Sequence, residues 1–361
     1  MYTELMKIIE GGLKGDKDKV INYSKMLAIN LEKDGQLKIA DKIRNTIKSN
    51  NTRMVSLDSF NTKPVDQESR MDIADIKLPT KPETTLIFDK FINNEVNDFI
   101  DTFYCRDRLK ENGIDLSSSL LLYGPPGCGK TSLVQYISYK TDLPLVTARF
   151  DALVSSLLGN TAKNIRKIFE YASKKPCILF LDEFDVIAKV RDDKNELGEL
   201  KRVVNSLLQN IDEFNQESIL IAATNHHELL DSAIWRRFTK VIELNKPSNE
   251  AKSEIIKEYI GSYKTNFLDN DKKFNVLVSS FENVSPSDIK NIVLTSIKKT
   301  IISNKTELDM TQILYEVYLF FNHNISNEAE IAKFLYSYGV TQKEIIEFLN
   351  LSSRKVREIL K

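Results

Sequence analysis

The chain is 361 residues long, enough for two or three domains with a sizeable core. Apolar residues make up 42% and charged residues 28%, an ordinary globular composition, and 51 basic residues balance 51 acidic ones. That balance excludes a chain drawn onto nucleic acid or a membrane surface by its overall charge, so any such contact needs a local patch. Three cysteines without metal-ligand spacing (Cys105, Cys128 and Cys177) suit a reducing compartment. No basic-then-apolar leader opens the sequence and no apolar run reaches a membrane span; the expected setting is the cytoplasm, with no membrane partner.

Residues 1–50 read as a small helical domain. Asp16 caps a helix with Val20, Tyr23, Leu27 and Leu31 at helical spacing, Gly35 ends it, and a second helix carries Leu37, Ile39, Ala40, Ile43 and Ile47. Residues 51–85 are polar and punctuated by Pro64, Pro79 and Pro82, which reads as a linker with at most short ordered pieces. From residue 86 to 247, strands alternate with helices. A helical pattern (Phe91, Ile92, Val96, Phe99, Ile100, Phe103) precedes apolar runs at Leu120–Tyr123, Leu145–Ala148, Ile178–Leu181, Ile219–Ala223 and Val241–Leu244, with helices around Leu133–Tyr139, Ile165–Ala172 and Leu200–Ile211 between them. This alternation predicts an α/β fold with a parallel sheet covered by helices on both faces, and ligands beyond the carboxyl ends of its strands. Residues 248–322 read as a helical lid (Glu250–Ile260, Asp288–Ile301, Met310–Phe321), and 323–361 as a tail of short helices.

The chemistry concentrates after the first apolar run, where Gly124-Pro125-Pro126-Gly127-Cys128-Gly129-Lys130-Thr131 matches G-x-x-x-x-G-K-[ST], the phosphate-binding loop of P-loop NTPases. Glycines let the backbone curl so that its N–H groups converge on phosphate oxygens, and the following helix adds the positive end of its dipole. Lys130 supplies a cation to the β- and γ-phosphates of ATP and Thr131 a hydroxyl to Mg²⁺. With Ser132, the stretch Gly124 to Thr131 is the expected nucleotide-binding set. Ile178–Leu181 ends in Asp182-Glu183, and parallel-sheet logic puts that end beside the phosphate loop. Asp182 is then the expected metal ligand and Glu183 the general base that activates water. Taken singly, a strand ending in two acids is also an ordinary turn. Ile219–Ala223 ends in Thr224-Asn225, where Asn225 either orients the water or simply favours the turn. Arg236-Arg237 reads either as a solvated pair or as guanidinium groups offered to the transition-state charge on a neighbouring subunit's nucleotide.

In this order the motifs resemble the AAA family of ATPases, from about Phe88 to Phe321: Gly124–Thr131 (Walker A), Ile178–Asp185 (Walker B), Ala223-Thr224-Asn225 (sensor 1), and Asp231–Phe238 with the paired arginines. The resemblance implies a P-loop ATPase core with a helical lid, assembly into a homo-oligomeric ring, usually a hexamer, and hydrolysis at subunit interfaces. It gives Asn225 the sensor role and Arg236 and Arg237 the trans-acting role. Three places depart from the pattern. Ser156-Leu157-Leu158-Gly159 has Leu157 where many relatives place a pore aromatic, Ser285-Pro286-Ser287 stands where the lid usually has Gly-Ala, and Cys128 occupies the variable loop position. No sensor-2 arginine is evident.

The tail, Thr341 to Leu360, looks like a helix-turn-helix. Ile345, Phe348 and Leu349 face inward, Asn350 takes the left-handed turn, Ser352 or Ser353 caps a second helix with Val356 and Ile359 inside, and Arg354, Lys355, Arg357 and Lys361 face out. Ile346 departs from it, standing where the motif has a small residue. Two readings follow. In the first, an ATPase ring remodels a protein client or serves a partner effector. In the second, ATP switches a DNA-binding or scaffold protein that acts through residues 341–361.

Overall fold

Leu120 to Leu122, Ile178 to Leu181 and Ile219 to Ala223 are apolar without alternation, and in the computed structural model every one of these residues is buried. Strands covered on both faces have no polar side to show, hence the unbroken runs. The structure describes residues 73–361 except 83–84, 115–116, 149–157, 186–196, 215–216 and 324–326, together with 5–9, 20, 23–24, 27–28, 31 and 38–44. It divides into two units, Met1–Pro64 and Val65–Lys361.

In the first unit Leu27, Leu31 and Ala40 are buried together, with Ile8 and Ile43 against them. Ile39, expected inside, is 51% exposed. Ala40 and Ile43, three apart, define the inner stripe and turn Ile39 away from it. Asp16, Gly35, Leu37 and Ile47 lie outside the described residues.

The second unit holds a six-stranded sheet: β1 (Ala74–Lys77), β2 (Ser119–Tyr123), β3 (Leu145–Ala148), β4 (Ile178–Leu181), β5 (Ile219–Thr224) and β6 (Lys240–Glu243), in the order β1-β3-β4-β5-β2-β6. Neighbours are parallel except β1, which runs antiparallel along β3. Strand β1 lies in the stretch expected to be linker; four residues with Asp75 and Lys77 among them leave no periodicity to read. The chain leaves β2 for β3 and only later fills the gap with β4 and β5. Strand β5 therefore separates β4 from β2, and the acidic end of β4 is two strand spacings, about 10 Å, from β2 rather than beside it.

Helices α1 (Lys90–Tyr104), α2 (Arg106–Glu111), α3 (Lys130–Thr141), α4 (Leu158–Ala172), α5 (Leu197–Asp212) and α6 (Ser232–Trp235) accompany the sheet. Val96, Phe99 and Ile100 of α1 and Leu133 and Ile137 of α3 share one core with Leu120, Leu122, Phe180 and Ile221. Helix α4 packs on β4, and α5 on α4. Side chains alternate across a strand, so the buried Leu121, Leu179 and Leu220 face away from that first core.

After β6 the chain is helical: α7 (Asn249–Ile260), α8 (Asp271–Ser280), α9 (Pro286–Ile302), α10 (Met310–Phe321), α11 (Glu328–Ser337), α12 (Gln342–Leu349) and α13 (Ser353–Ile359). Ser248 caps α7 by accepting from the Ala251 N–H, and donates to Asp89 Oδ1 at 2.6 Å, tying the first lid helix to the start of α1. One apolar core runs from Phe267, Phe281, Ile289 and Leu314 into Leu335, Ile345 and Val356. In the tail Thr341 and Glu344 form a capping box, Asn350 ends α12 at φ 52°, and Ser352 accepts from the Lys355 N–H. Phe348 and Leu349 are only partly buried, and the Phe348 ring stands edge-on to Tyr315 at 5.3 Å. Among the described residues no helix is long and apolar enough to cross a membrane.

Ile345 is fully buried in this shared core, so Ile345→Ala should cost about 2–5 kcal/mol. Urea unfolding followed by circular dichroism should show lid and tail melting together at a lower midpoint; a separate early transition for the tail would contradict a common core.

Candidate functional site

The loop after β2 closes tightly enough that a side chain is barred at Gly124 and Gly127. Gly124 has φ 136°, and a Cβ there would overlap the carbonyl oxygen of Leu244 at the end of β6. Gly127 has φ 75°, and its Cβ would come within 2.5 Å of Ser285 Oγ from the lid. Both conformations are ones L-residues rarely adopt. Lys130, at the start of α3, is 8% exposed and donates to Gly124 O at 2.6 Å and Pro125 O at 2.9 Å, which holds its ammonium over the loop. Burial lowers its pKa, opposed by the Cys128 thiol and the carboxylates of Asp182 and Asp185. The Cys128 thiol, 2% exposed, is pushed up by burial against the pull of Lys130 and Lys246. Ser132 follows Thr131 on α3 and lines the cavity between loop and lid.

Thr131 spans the gap left by β5: its Oγ1 donates to Asp182 Oδ2 at 3.3 Å, and Asp182 Oδ1 accepts the Glu183 N–H at 2.9 Å. Both carboxylate oxygens of Asp182 are thereby oriented. Glu183 sits at φ 51°, a left-handed conformation that costs a non-glycine residue about 1–2 kcal/mol. The reversal exposes the Glu183 side chain and drives Phe184 inward, where it is fully buried and its N–H donates to Ala223 O at 2.9 Å. Asp182 thus comes within hydrogen-bond reach of the residue that follows the loop lysine, with Glu183 next to it in the chain, although β4 is not the neighbour of β2. Asn225 follows the end of β5, exposed, between the two.

Sequence reasoning missed the tie beneath. Thr224 Oγ1 donates to Asp185 Oδ1 at 3.0 Å and accepts the His226 N–H at 3.0 Å, with Thr224 1% and Asp185 4% exposed. Both residues fall inside the motifs, but their pairing depends on β4 and β5 being adjacent.

The arginines follow the short α6, which Asp231 caps by accepting from the Ala233 N–H. The two are not equivalent. Arg236 is exposed, whereas Arg237 donates to Ala233 O at 2.6 Å and forms an ion pair with Asp212 of α5 at 3.0 Å. The next residue, Phe238, meets Phe184 edge-to-face at 6.2 Å. The arginine segment is therefore packed against the turn that carries Glu183.

Ser285-Pro286-Ser287 lies on the phosphate loop. The Ser287 N–H donates to Gly127 O at 3.2 Å, Ser285 caps α9 by accepting from Asp288 N–H, and Pro286 takes the first helical position, where its missing N–H costs nothing. A cavity of about 160 Å³ opens between loop and lid, lined among others by Phe88, Cys128, Tyr259, Pro286 and Lys290. Ser156 and Leu157 lie outside the described residues.

With β5 seated between the strand of the glycine loop and the strand of the acidic pair, the sheet has the P-loop ATPase arrangement. Residues 120–246 match the family described as "ATPase family associated with various cellular activities (AAA)". Among similar proteins, an uncharacterised AAA family ATPase, y4kL, of Sinorhizobium fredii is 41% identical over 202 residues, 56% of this chain and 60% of that protein. Proteasome-activating nucleotidase 1 of Haloferax volcanii is 36% identical over 62% of this chain and 56% of its own length. A proteasome-activating nucleotidase of Sulfurisphaera tokodaii is 33% identical over 61% and 58%. The match to an AAA-family ATPase domain is confined to residues 120–246, and the chain spans about 60% or less of the length of these curated relatives.

Removing the Thr224 hydroxyl takes a hydrogen bond from a buried carboxylate. Thr224→Val should destabilise the fold by about 1–3 kcal/mol, while Thr224→Ser restores it. Urea midpoints of the two variants check this; a Val variant as stable as wild type would remove the tie from consideration.

Proposed function

We propose that this chain is an ATPase whose site is completed between neighbouring copies in a ring, and which couples hydrolysis to remodelling a macromolecular partner. The observation that carries the reading is the contact of Thr131 with Asp182 across β5, which gathers Lys130, Thr131, Asp182 and an outward Glu183 on one loop cluster while Arg236 is left exposed.

The site fits a nucleotide with magnesium. Gly124 and Gly127 allow a loop curl that a Cβ at either position would block by collision with Leu244 or Ser285, and Asp182 with Thr131 is the sparse oxygen set a hydrated cation keeps when phosphates supply the rest. When bound, the cation offsets charge on the β- and γ-phosphates. In this reading Gly124 to Ser132 hold the phosphates, and Lys130 meets the β–γ bridge with its buried ammonium. Glu183 takes the proton of the attacking water, and Asn225, one residue beyond β5, orients that water. Arg236 extends to the γ-phosphate of the adjacent copy, and Arg237, braced on Asp212, sets the pitch of the segment. The cavity beside Phe88 and Tyr259 accepts the base.

Ring assembly and a remodelling role are supported by the kinship with proteins named proteasome-activating nucleotidases. The partner is a macromolecule engaged outside the nucleotide cavity.

Glu183→Gln should keep nucleotide affinity and lose turnover about 10²–10⁴-fold; undiminished ATPase activity would reject the assignment of the base. Arg236→Ala should lower turnover without moving the melting temperature. Mixing it with Glu183→Gln should restore activity, because each copy supplies what the other lacks. No recovery in mixtures would count against a shared site.

A further inference from the structure

The ATPase site leaves α11, α12 and α13 without a role, and their construction is that of a helix-turn-helix. All three helices pack on one another, with Leu335, Ile345 and Val356 inside. The connection from α12 to α13 is short, turning through Asn350 in the left-handed region and restarting at the Ser352 cap. The inward stripe of α13 is Val356, Ile359 and Leu360. Its outward side is cationic: Arg354 and Arg357, three residues apart, are exposed, and so is Lys361, two residues past the end of the helix. Lys355 is not part of that group, being ion-paired at 2.6 Å to Glu328 of α11, and Glu358 is the one exposed acid on α13.

We propose that α13 is a recognition helix for duplex DNA, with Arg354, Arg357 and Lys361 meeting phosphates and base edges. The chain as a whole is neutral, so three exposed cations gathered on and just past one short helix form a local patch with no counterpart in the overall charge. Shape favours DNA over RNA: the B-form major groove, about 12 Å wide, admits a helix, whereas the A-form major groove is too deep and narrow. The hairpin also has the division of labour such a motif needs. Helices α11 and α12 take the packing, with Phe334 against Tyr318 and Phe348 against Tyr315 of α10, and α13 rests on them. Because these contacts belong to the lid core, bound DNA would be attached to the element that closes over the nucleotide.

The test is fluorescence anisotropy of the full chain with a labelled random-sequence DNA duplex, between about 50 and 200 mM salt. Wild type should bind, with log affinity falling linearly against log salt. The triple variant R354A/R357A/K361A should bind about tenfold or more weakly at low salt, with the slope reduced by up to about 3, and with ATPase activity and melting temperature unchanged. A charge-matched control, K264A/K272A/K298A, alters three exposed lid lysines and should bind as wild type does. The proposal is overturned if wild type shows no salt-dependent binding, if the triple variant binds as wild type, if the control loses as much, or if duplex RNA competes equally. None of these outcomes depends on the assignment of Glu183 or Arg236.

Discussion

The carbonyl oxygen of Leu244 occupies the place where any side chain at Gly124 would begin. That one steric fact binds three parts of the molecule together. Strand β6 lies against β2, with the Leu244 N–H donating to Tyr123 O at 2.8 Å, so the loop must turn immediately at the end of β2. The chain leaving Leu244 enters the lid through Ser248, and the lid returns at Ser285 and Ser287 to close against Gly127. The phosphate loop is thus held on one side by the sheet and on the other by the lid. Its shape is set by backbone packing as much as by its own glycines.

A second constraint lies on the far side of β5. Glu183 is held in a conformation that costs about 1–2 kcal/mol, and what offsets it is visible: burial of Phe184, of the order of 1.5–3 kcal/mol, and two backbone N–H bonds, to Asp182 Oδ1 and Ala223 O. Strain of this kind persists only where the surroundings over-determine it. Phe184 against Phe238 carries the same turn into the arginine segment, and Thr224 against Asp185 carries it into β5.

Toward the carboxyl side, the lid and the short helices after it share one apolar core. Short helices of seven or eight residues hold little stability in isolation; here their caps and the aromatic contacts with α10 supply it. A neutral chain can still carry a cationic patch, because helical periodicity sorts apolar and charged residues of one short segment onto opposite faces.

Much of this was legible from residues alone. Apolar runs without alternation mean buried parallel strands, glycines at fixed offsets before Lys-Thr mean a tightly curled phosphate-binding loop, and Ser or Thr before a helical pattern means a cap; each depends only on neighbours in the chain. The order of the strands did not follow. Placing β5 between β2 and β4 is a pairing of strands far apart in the chain, which no local pattern encodes, and it is this that makes Thr131 reach across to Asp182 and brings Thr224 to Asp185. Strand β1 was hidden because four residues carry no period, and Ile39 was turned outward because its neighbours Ala40 and Ile43 already filled the inner face. The two adjacent arginines are alike in sequence, and only the tertiary structure separates them. Asp212, 25 residues earlier, lies within reach of Arg237 and so holds one guanidinium in place, while Arg236 projects from the surface.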